Sequence, residues 1–202
     1  MTTYRALWRR VRKFSGIAWI ARKWRPSPLY WHMRDTSQLL FFGFLSFMVA
    51  IVVSFAFLAY AAQLGMQRDR QRAADLDCLA RNVYFEARGE PLDGQRAVAE
   101  VTMNRVNSAR FPDTVCEVVH EQRWDAKRQR LVGAFSWTEL PPPAEPAGGA
   151  WRRARSVAES AYDGLQAPMV RGALHYHADH IEPDWARSQN RLAKIGRHIF
   201  YE

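Results

Sequence analysis

The sequence predicts a mostly helical α+β domain preceded by a single transmembrane helix. Three observations lead there. Residues 39–62 read "LLFFGFLSFMVAIVVSFAFLAYAA", 24 positions without a charge. Beyond them, several segments carry apolar residues at helical spacing between recognisable starts and stops. Near the C-terminus the pattern changes to short alternation around 174–178 and 195–201, which predicts two strands.

The apolar run is the first element. A helix of its 24 residues is about 36 Å long, against a bilayer hydrocarbon core of about 30 Å. A buried core helix would show a polar face, and this run offers only Ser46, Ser54 and Tyr60. Of the formal net charge of +9, all but one unit lies before residue 39, where nine Lys and Arg residues face Asp35 alone. The larger part of the chain is close to neutral, which excludes a basic nucleic-acid-binding face there. The positive-inside rule places residues 1–38 in the cytoplasm and the chain from Gln63 onward outside. "AYA" at 59–61 has the form of a signal-peptidase site, with cleavage after Ala61 as the alternative. The run is longer than a signal sequence's apolar region, so an uncleaved signal anchor in the inner membrane is the reading adopted. The arm interleaves Trp8, Trp19, Trp24 and Trp31 with its cations, as a helix on an anionic leaflet would, or as a topology signal with interfacial aromatics.

The elements beyond the membrane follow in order. Residues 63–74 are polar and read as a linker, and 75–202 as one compact domain. Asp75 or Asp77 is placed to cap a helix with Leu79, Ala80, Val83, Tyr84 and Ala87 on its apolar side, ending at Gly89 before Pro91. A second helix fits "DGQRAVAEVTMNRVNS", with Ala97, Val98, Val101 and Val106 inward. A short helical piece starts at Phe111-Pro112-Asp113 and runs to Val119. From Gln122 to Trp137 the pattern is irregular, and "PPPAEPAGG" is a loop by composition. A further helix fits "AWRRARSVAESAYDGL". The two cysteines, Cys78 and Cys116, both fall beyond the membrane. There an even count suits a disulfide, two buried thiols being the alternative. Neither lies in a Cys-x-x-Cys pair, which argues against a metal.

One acid stands out. In "NVYFEARGE", Glu86 falls on the side of the first helix that carries Leu79 and Val83, at offsets of seven and three. A carboxyl in such a place loses solvation, which favours its neutral form and suits a group that donates a proton near neutral pH. The structural alternative is a partly buried acid paired with Arg88 or Arg105. Glu90, beyond Gly89, is expected to face water or cap the next helix.

"LARNVYFEARGEPLDGQRAVAEVTMNRVNSARFPDTVCEVV", "FSW" at 135–137, and "GALHYHADHIEPDWA" through "KIGRHIFY" together resemble the SleB/CwlJ-type cell wall hydrolase family. The resemblance spans roughly 77–201 through several ordered motifs, and is weakest between Gln122 and Phe135 and across the proline-rich loop. It implies a lysozyme-like fold and cleavage of the peptidoglycan glycan strand between N-acetylmuramic acid and N-acetylglucosamine. The family's catalytic glutamate is the first acid of "EARGE", which falls on Glu86. A lytic transglycosylase can work with that one carboxyl, whereas ordinary glycoside hydrolysis needs two. Glu90, Glu100 and Asp179 are the candidates for a second acid. Transglycosylation is therefore favoured, with no cofactor and no metal.

The resemblance also suggests substrate contacts. Asn104 and Arg105 are placed to orient Glu86 or hold a sugar amide, or else to pack the helix or form a surface ion pair. Trp137, Tyr176 and Trp185 offer sugar-stacking planes, with core packing the better reading for at least one of them, and His175 and His177 join the expected substrate-binding set. Phe85 stands where the family often has glycine, which would narrow the cleft. Two rivals compete. "HYHADH" places His175, His177 and His180 near Asp179, a spacing that suits zinc in a metal-dependent amidase or peptidase. A non-catalytic peptidoglycan-binding module is the other. The expected partners are peptidoglycan and the inner membrane, in the setting of a Gram-negative envelope with the domain in the periplasm.

Overall fold

The computed structural model describes residues 28–139 and 144–202. Most of the basic arm, including Trp8, Trp19 and Trp24, and residues 141–143 of the proline-rich loop lie outside the described residues. The chain divides into two compact units, Met1–Leu64 and Gly65–Glu202.

Helix α1 runs from Pro28 to Ala87 as one 60-residue element. In the first unit its large apolar side chains are exposed, from Leu39 through Phe47 to Leu58. The two serines of the apolar run bond within the helix: Ser46 donates to Phe42 O and Ser54 to Ala50 O, each at 2.8 Å. Such bonds to the carbonyl one turn back are the usual way a helical serine satisfies its hydroxyl locally. Among the described residues this is the one helix long and apolar enough to cross a membrane.

In the second unit α1 continues through 65–74, where the sequence predicted a linker. These residues are polar but contain good helix formers, and the single Gly65 costs only about 1 kcal/mol against alanine. No cap therefore forms at Asp75 or Asp77. Asp75 is buried and accepts from Gln71 Nε2 at 3.2 Å and from the Cys116 N–H at 3.2 Å. Asp77 pairs with Arg81 one turn on, at 2.7 Å.

Helix α2 (Leu92–Val106) is the central element, buried on both sides. Ala99 joins Leu79 and Val83 of α1 in one core cluster. Val115 and Val119 of α3 (Val115–Val119), Phe135, and Ala154, Val157 and Ala158 of α4 (Gly148–Tyr162) complete it. On its other side Ala97 and Val101 meet Val170, Ala173 and Phe200 in a second cluster. The short α3 starts later than expected because Phe111-Pro112-Asp113 forms a turn. Thr114 supplies the N-cap, accepting from the Glu117 N–H at 3.3 Å. The disulfide between Cys78 and Cys116 ties α3 to α1 with a Cα–Cα distance of 5.3 Å.

Two sheets follow. Strands β1 (Gln122–Asp125) and β2 (Arg130–Gly133) form an antiparallel hairpin where the sequence pattern was irregular. A 3-10 turn, Ser136–Glu139, leads away from it. The other sheet has three strands, β3 (His175–Ala178), β4 (Arg191–Ile195) and β5 (His198–Tyr201), in the order β3-β5-β4. Two of these match the predicted strands. β4 escaped notice because it is a bulged edge strand with exposed Arg191 and Lys194. β4 and β5 join through Gly196 and Arg197, Gly196 having φ +60°. A side chain on Gly196 would run into Glu90 Oε2.

Candidate active site

The last turn of α1 presents Glu86. Leu79 and Val83, on the same side of the helix, are fully buried, and Glu86 itself is half-buried at the floor of a cleft of about 600 Å³. Tyr84, Phe85, Arg88, Ser136, Trp137, Ala144 and Glu145 line the rest of it. Three other elements converge on the carboxyl or its surroundings. β3 sends Tyr176, whose hydroxyl donates to Glu86 Oε2 at 3.3 Å. α2 sends Arg105, whose charge acts on Glu86. The 3-10 turn sends Trp137.

Burial dominates the electrostatics of the carboxyl. Burial pushes the Glu86 carboxyl above its ordinary 4.5, while the Tyr176 hydroxyl and the Arg105 charge pull back part of the way. Burial and the adjacent Glu86 charge hold the Tyr176 phenol well above its ordinary range, so it stays a hydrogen-bond donor. Arg105 is itself buried. Its Nε donates to Leu174 O at 2.8 Å, and its guanidinium lies over Phe111 and Phe135 at 5.3 and 5.1 Å. Burial lowers its affinity for a proton from the usual guanidinium value.

A buried relay sets the far wall. Trp137 Nε1 donates to Asn82 Oδ1 at 2.9 Å, Asn82 Nδ2 to Thr102 Oγ1 at 3.1 Å, and Thr102 to Val98 O at 3.1 Å. Each polar atom has a partner, so the indole is fixed in direction. Phe85 stacks on it with centroids 4.8 Å apart and planes 29° apart, which occupies one face of the indole.

Of the expected substrate residues, the structure brings Trp137 to the lining of the Glu86 cleft and Tyr176 to the Glu86 carboxyl. Asn104 does not reach Glu86; its Nδ2 donates to Ala173 O at 3.0 Å and holds the turn before β3. Alternation along β3 puts His175 and His177 on the sheet face away from Tyr176. There they join Trp185 in an aromatic cluster with Tyr201. His177 Nδ1 donates to Ala178 O at 2.9 Å, and its Nε2 accepts from the Tyr201 hydroxyl at 3.0 Å. Burial, and then the charge of Arg105, lowers the His175 pKa. His180 is exposed. The zinc set considered for these residues is not assembled: among the described residues no three His, Cys, Asp or Glu side chains converge as metal ligands.

The candidate second acids are committed elsewhere. Glu90, expected near water, is buried and accepts from the Arg197 N–H and Nε, both at 2.8 Å. Glu100 takes the N–H groups of Met169 and Val170 at 2.7 and 3.2 Å. Asp179 pairs with Lys194 at 2.7 Å. The other carboxylate in the cleft lining is Glu145, exposed and paired with Arg81 at 2.9 Å. Sequence reading missed it inside the proline-rich loop. Asn82 was also missed, because its partners are 20 and 55 residues away.

The site is thus a half-buried carboxyl in an aromatic-walled cleft of an α+β domain. The Cell Wall Hydrolase family matches residues 89–201, and the chain belongs to that family. Glu86 lies three residues ahead of the matched stretch. The chain is 35% identical over 126 residues to the spore cortex-lytic enzyme of Oceanobacillus iheyensis, an alignment covering 62% of this chain and 41% of that one. With the spore cortex-lytic enzyme of Bacillus subtilis it shares 31% over 128 residues, covering 63% and 37%. The chain thus spans about two-fifths of the length of these relatives. Among solved structures it is similar to the catalytic domain of the germination-specific lytic transglycosylase SleB from Bacillus anthracis. That match has 34% identity and a TM-score of 0.48, over 63% of this chain and 93% of that one.

Proposed function

We propose that this cell wall hydrolase is a membrane-anchored lytic transglycosylase that cuts the peptidoglycan glycan strand with Glu86 as its single acid and base. The observation that carries the reading is Glu86 itself: a half-buried carboxyl, raised in pKa, hydrogen-bonded by a phenol that stays protonated, at the floor of a cleft with an anchored indole.

Protonated Glu86 gives its proton to the glycosidic oxygen between N-acetylmuramic acid and N-acetylglucosamine as the bond from that oxygen to the muramic C1 breaks. The carboxylate then takes the proton of the muramic C6 hydroxyl as that oxygen attacks C1. The products are a free N-acetylglucosamine 4-hydroxyl and a 1,6-anhydro end, and Glu86 is protonated again for the next cycle. No water enters, so no second carboxylate is required. Tyr176 steadies Glu86 in its charged phase, and Arg105 adds a nearby positive charge. Trp137 supplies an apolar wall for a sugar ring.

The charge-free run within α1 and the cations before it support an inner-membrane anchor with the domain on the periplasmic side. The Cys78–Cys116 disulfide fits that oxidising side. The relatives named for the spore cortex support peptidoglycan as the substrate.

Product chemistry tests the reading. The full chain in detergent is incubated with purified peptidoglycan and the released muropeptides are weighed by mass spectrometry. Anhydro ends, one water lighter than reducing ends and resistant to borohydride, are the expected product. Reducing ends that disappear in Glu145→Gln would replace the reading with two-carboxylate hydrolysis.

A further inference from the structure

The β1–β2 hairpin carries an apolar pair on its open side. Trp124 and Leu131 stand directly opposite each other in the ladder, so they share one face of the ribbon. They are 60% and 54% exposed. Alternation places Gln122 and Gly133 on that same face. The 3-10 turn Ser136–Glu139 rests on it too, since a side chain added at Gly133 would run into Thr138 Oγ1. That turn carries Trp137 into the Glu86 cleft. Leu131 lies two residues from Gly133, about 7 Å along the strand. The exposed face therefore begins where the cleft wall ends. On the opposite face of the ribbon the Arg123 guanidinium lies 4.6 Å from the Phe111 ring.

A single exposed tryptophan needs no explanation, but an exposed tryptophan–leucine pair continuous with a cleft wall does. The ions around it are balanced: Arg123, Lys127, Arg128 and Arg130 pair with Glu121, Asp184, Asp125 and Glu139. These surface pairs are each worth about 0–1 kcal/mol, so the cations can exchange partners at little cost. A glycan strand leaving the cleft fits this face. Its sugar rings present apolar C–H faces to an indole, and the carboxylates of its stem peptides can take over those cations.

We propose that the Trp124–Leu131 face is a second sugar-binding surface, outside the cleft, that holds the glycan strand by seating one ring on Trp124. The proposal rests on the peptidoglycan reading above and adds a site to it. Its test is co-sedimentation of the full chain, in detergent, with insoluble peptidoglycan sacculi. All variants carry Glu86→Gln so that binding is read without cleavage. Trp124→Ala, and separately Leu131→Ala, should raise the half-saturating sacculus concentration, the first about tenfold, with near-ultraviolet circular dichroism and Tm unchanged. Trp124→Tyr should restore most of the binding. Trp124→Ala binding sacculi like its parent would overturn the proposal alone. So would unchanged sacculus binding with lost binding to anionic vesicles, which would make the face a lipid contact. A parent chain that fails to sediment with sacculi would overturn the proposal together with the peptidoglycan reading.

Discussion

Glu86 sits where its neutral form is favoured, and two consequences follow at the scale of that residue. In the unfolded chain the carboxyl ionises near 4.5, and in the folded protein it ionises at a higher pH. Between the two values the folded state holds the extra proton, so stability falls as pH rises through that window. Glu86→Gln removes this loss. Thermal melts should show a higher Tm for the variant at pH 7, with the difference shrinking toward and below pH 4.5. The second consequence concerns Tyr176, whose hydroxyl stabilises the carboxylate. Tyr176→Phe should move the alkaline limb of the kcat/KM–pH profile upward while lowering the maximum rate, as measured on solubilised glycan strands. The position of Glu86 was legible in the sequence because Leu79, Val83 and Glu86 fall on one helical face. Tyr176 as its partner was not, since 90 residues separate them and only the sheet brings them together.

At the scale of elements, polarity misled and periodicity held. The apolar spacing of α2 and α4 located both helices to within a few residues. The polar run at 65–74 read as a linker although its residues favour helix, and β1, β2 and β4 are short, exposed and rich in arginine. Glu90 shows how such unmarked pieces are held. It anchors the β4–β5 turn to the connection between α1 and α2 through the Arg197 N–H and guanidinium. Burial alone would raise its pKa, but those hydrogen bonds outweigh it and hold the carboxylate below 4.5. Its contribution is therefore present above pH 4.5 and lost as pH falls through the lower folded value. Glu90→Gln should cost about 1–3 kcal/mol in denaturant melts at pH 7, and little in acid. The disulfide acts between elements as well. Its cysteines are 38 residues apart, and closing a loop of that size is worth about 4 kcal/mol through the unfolded chain. Cys78→Ser should lower the denaturation midpoint accordingly. If the loss equals that of reducing the parent, the bond and not the thiol packing is responsible.

At the scale of the whole molecule, a long apolar helix was legible from one charge-free run. The domain was legible through its ordered motifs, while the division of the sheet into a face toward Glu86 and an aromatic face around Trp185 was not, because alternation shows which residues share a face but not which face meets the cleft. Topology is open to direct test: alkaline phosphatase joined after Glu202 should be active in intact cells, and activity only after lysis would reverse the orientation. The central claim is that one carboxyl carries the chemistry. The most direct measurement compares the full chain with Glu86→Gln on the same peptidoglycan, the variant's fold being checked by circular dichroism. Anhydro-muropeptides are expected from the parent and none from the variant. A folded Glu86→Gln that releases them at the parent's rate would contradict the claim.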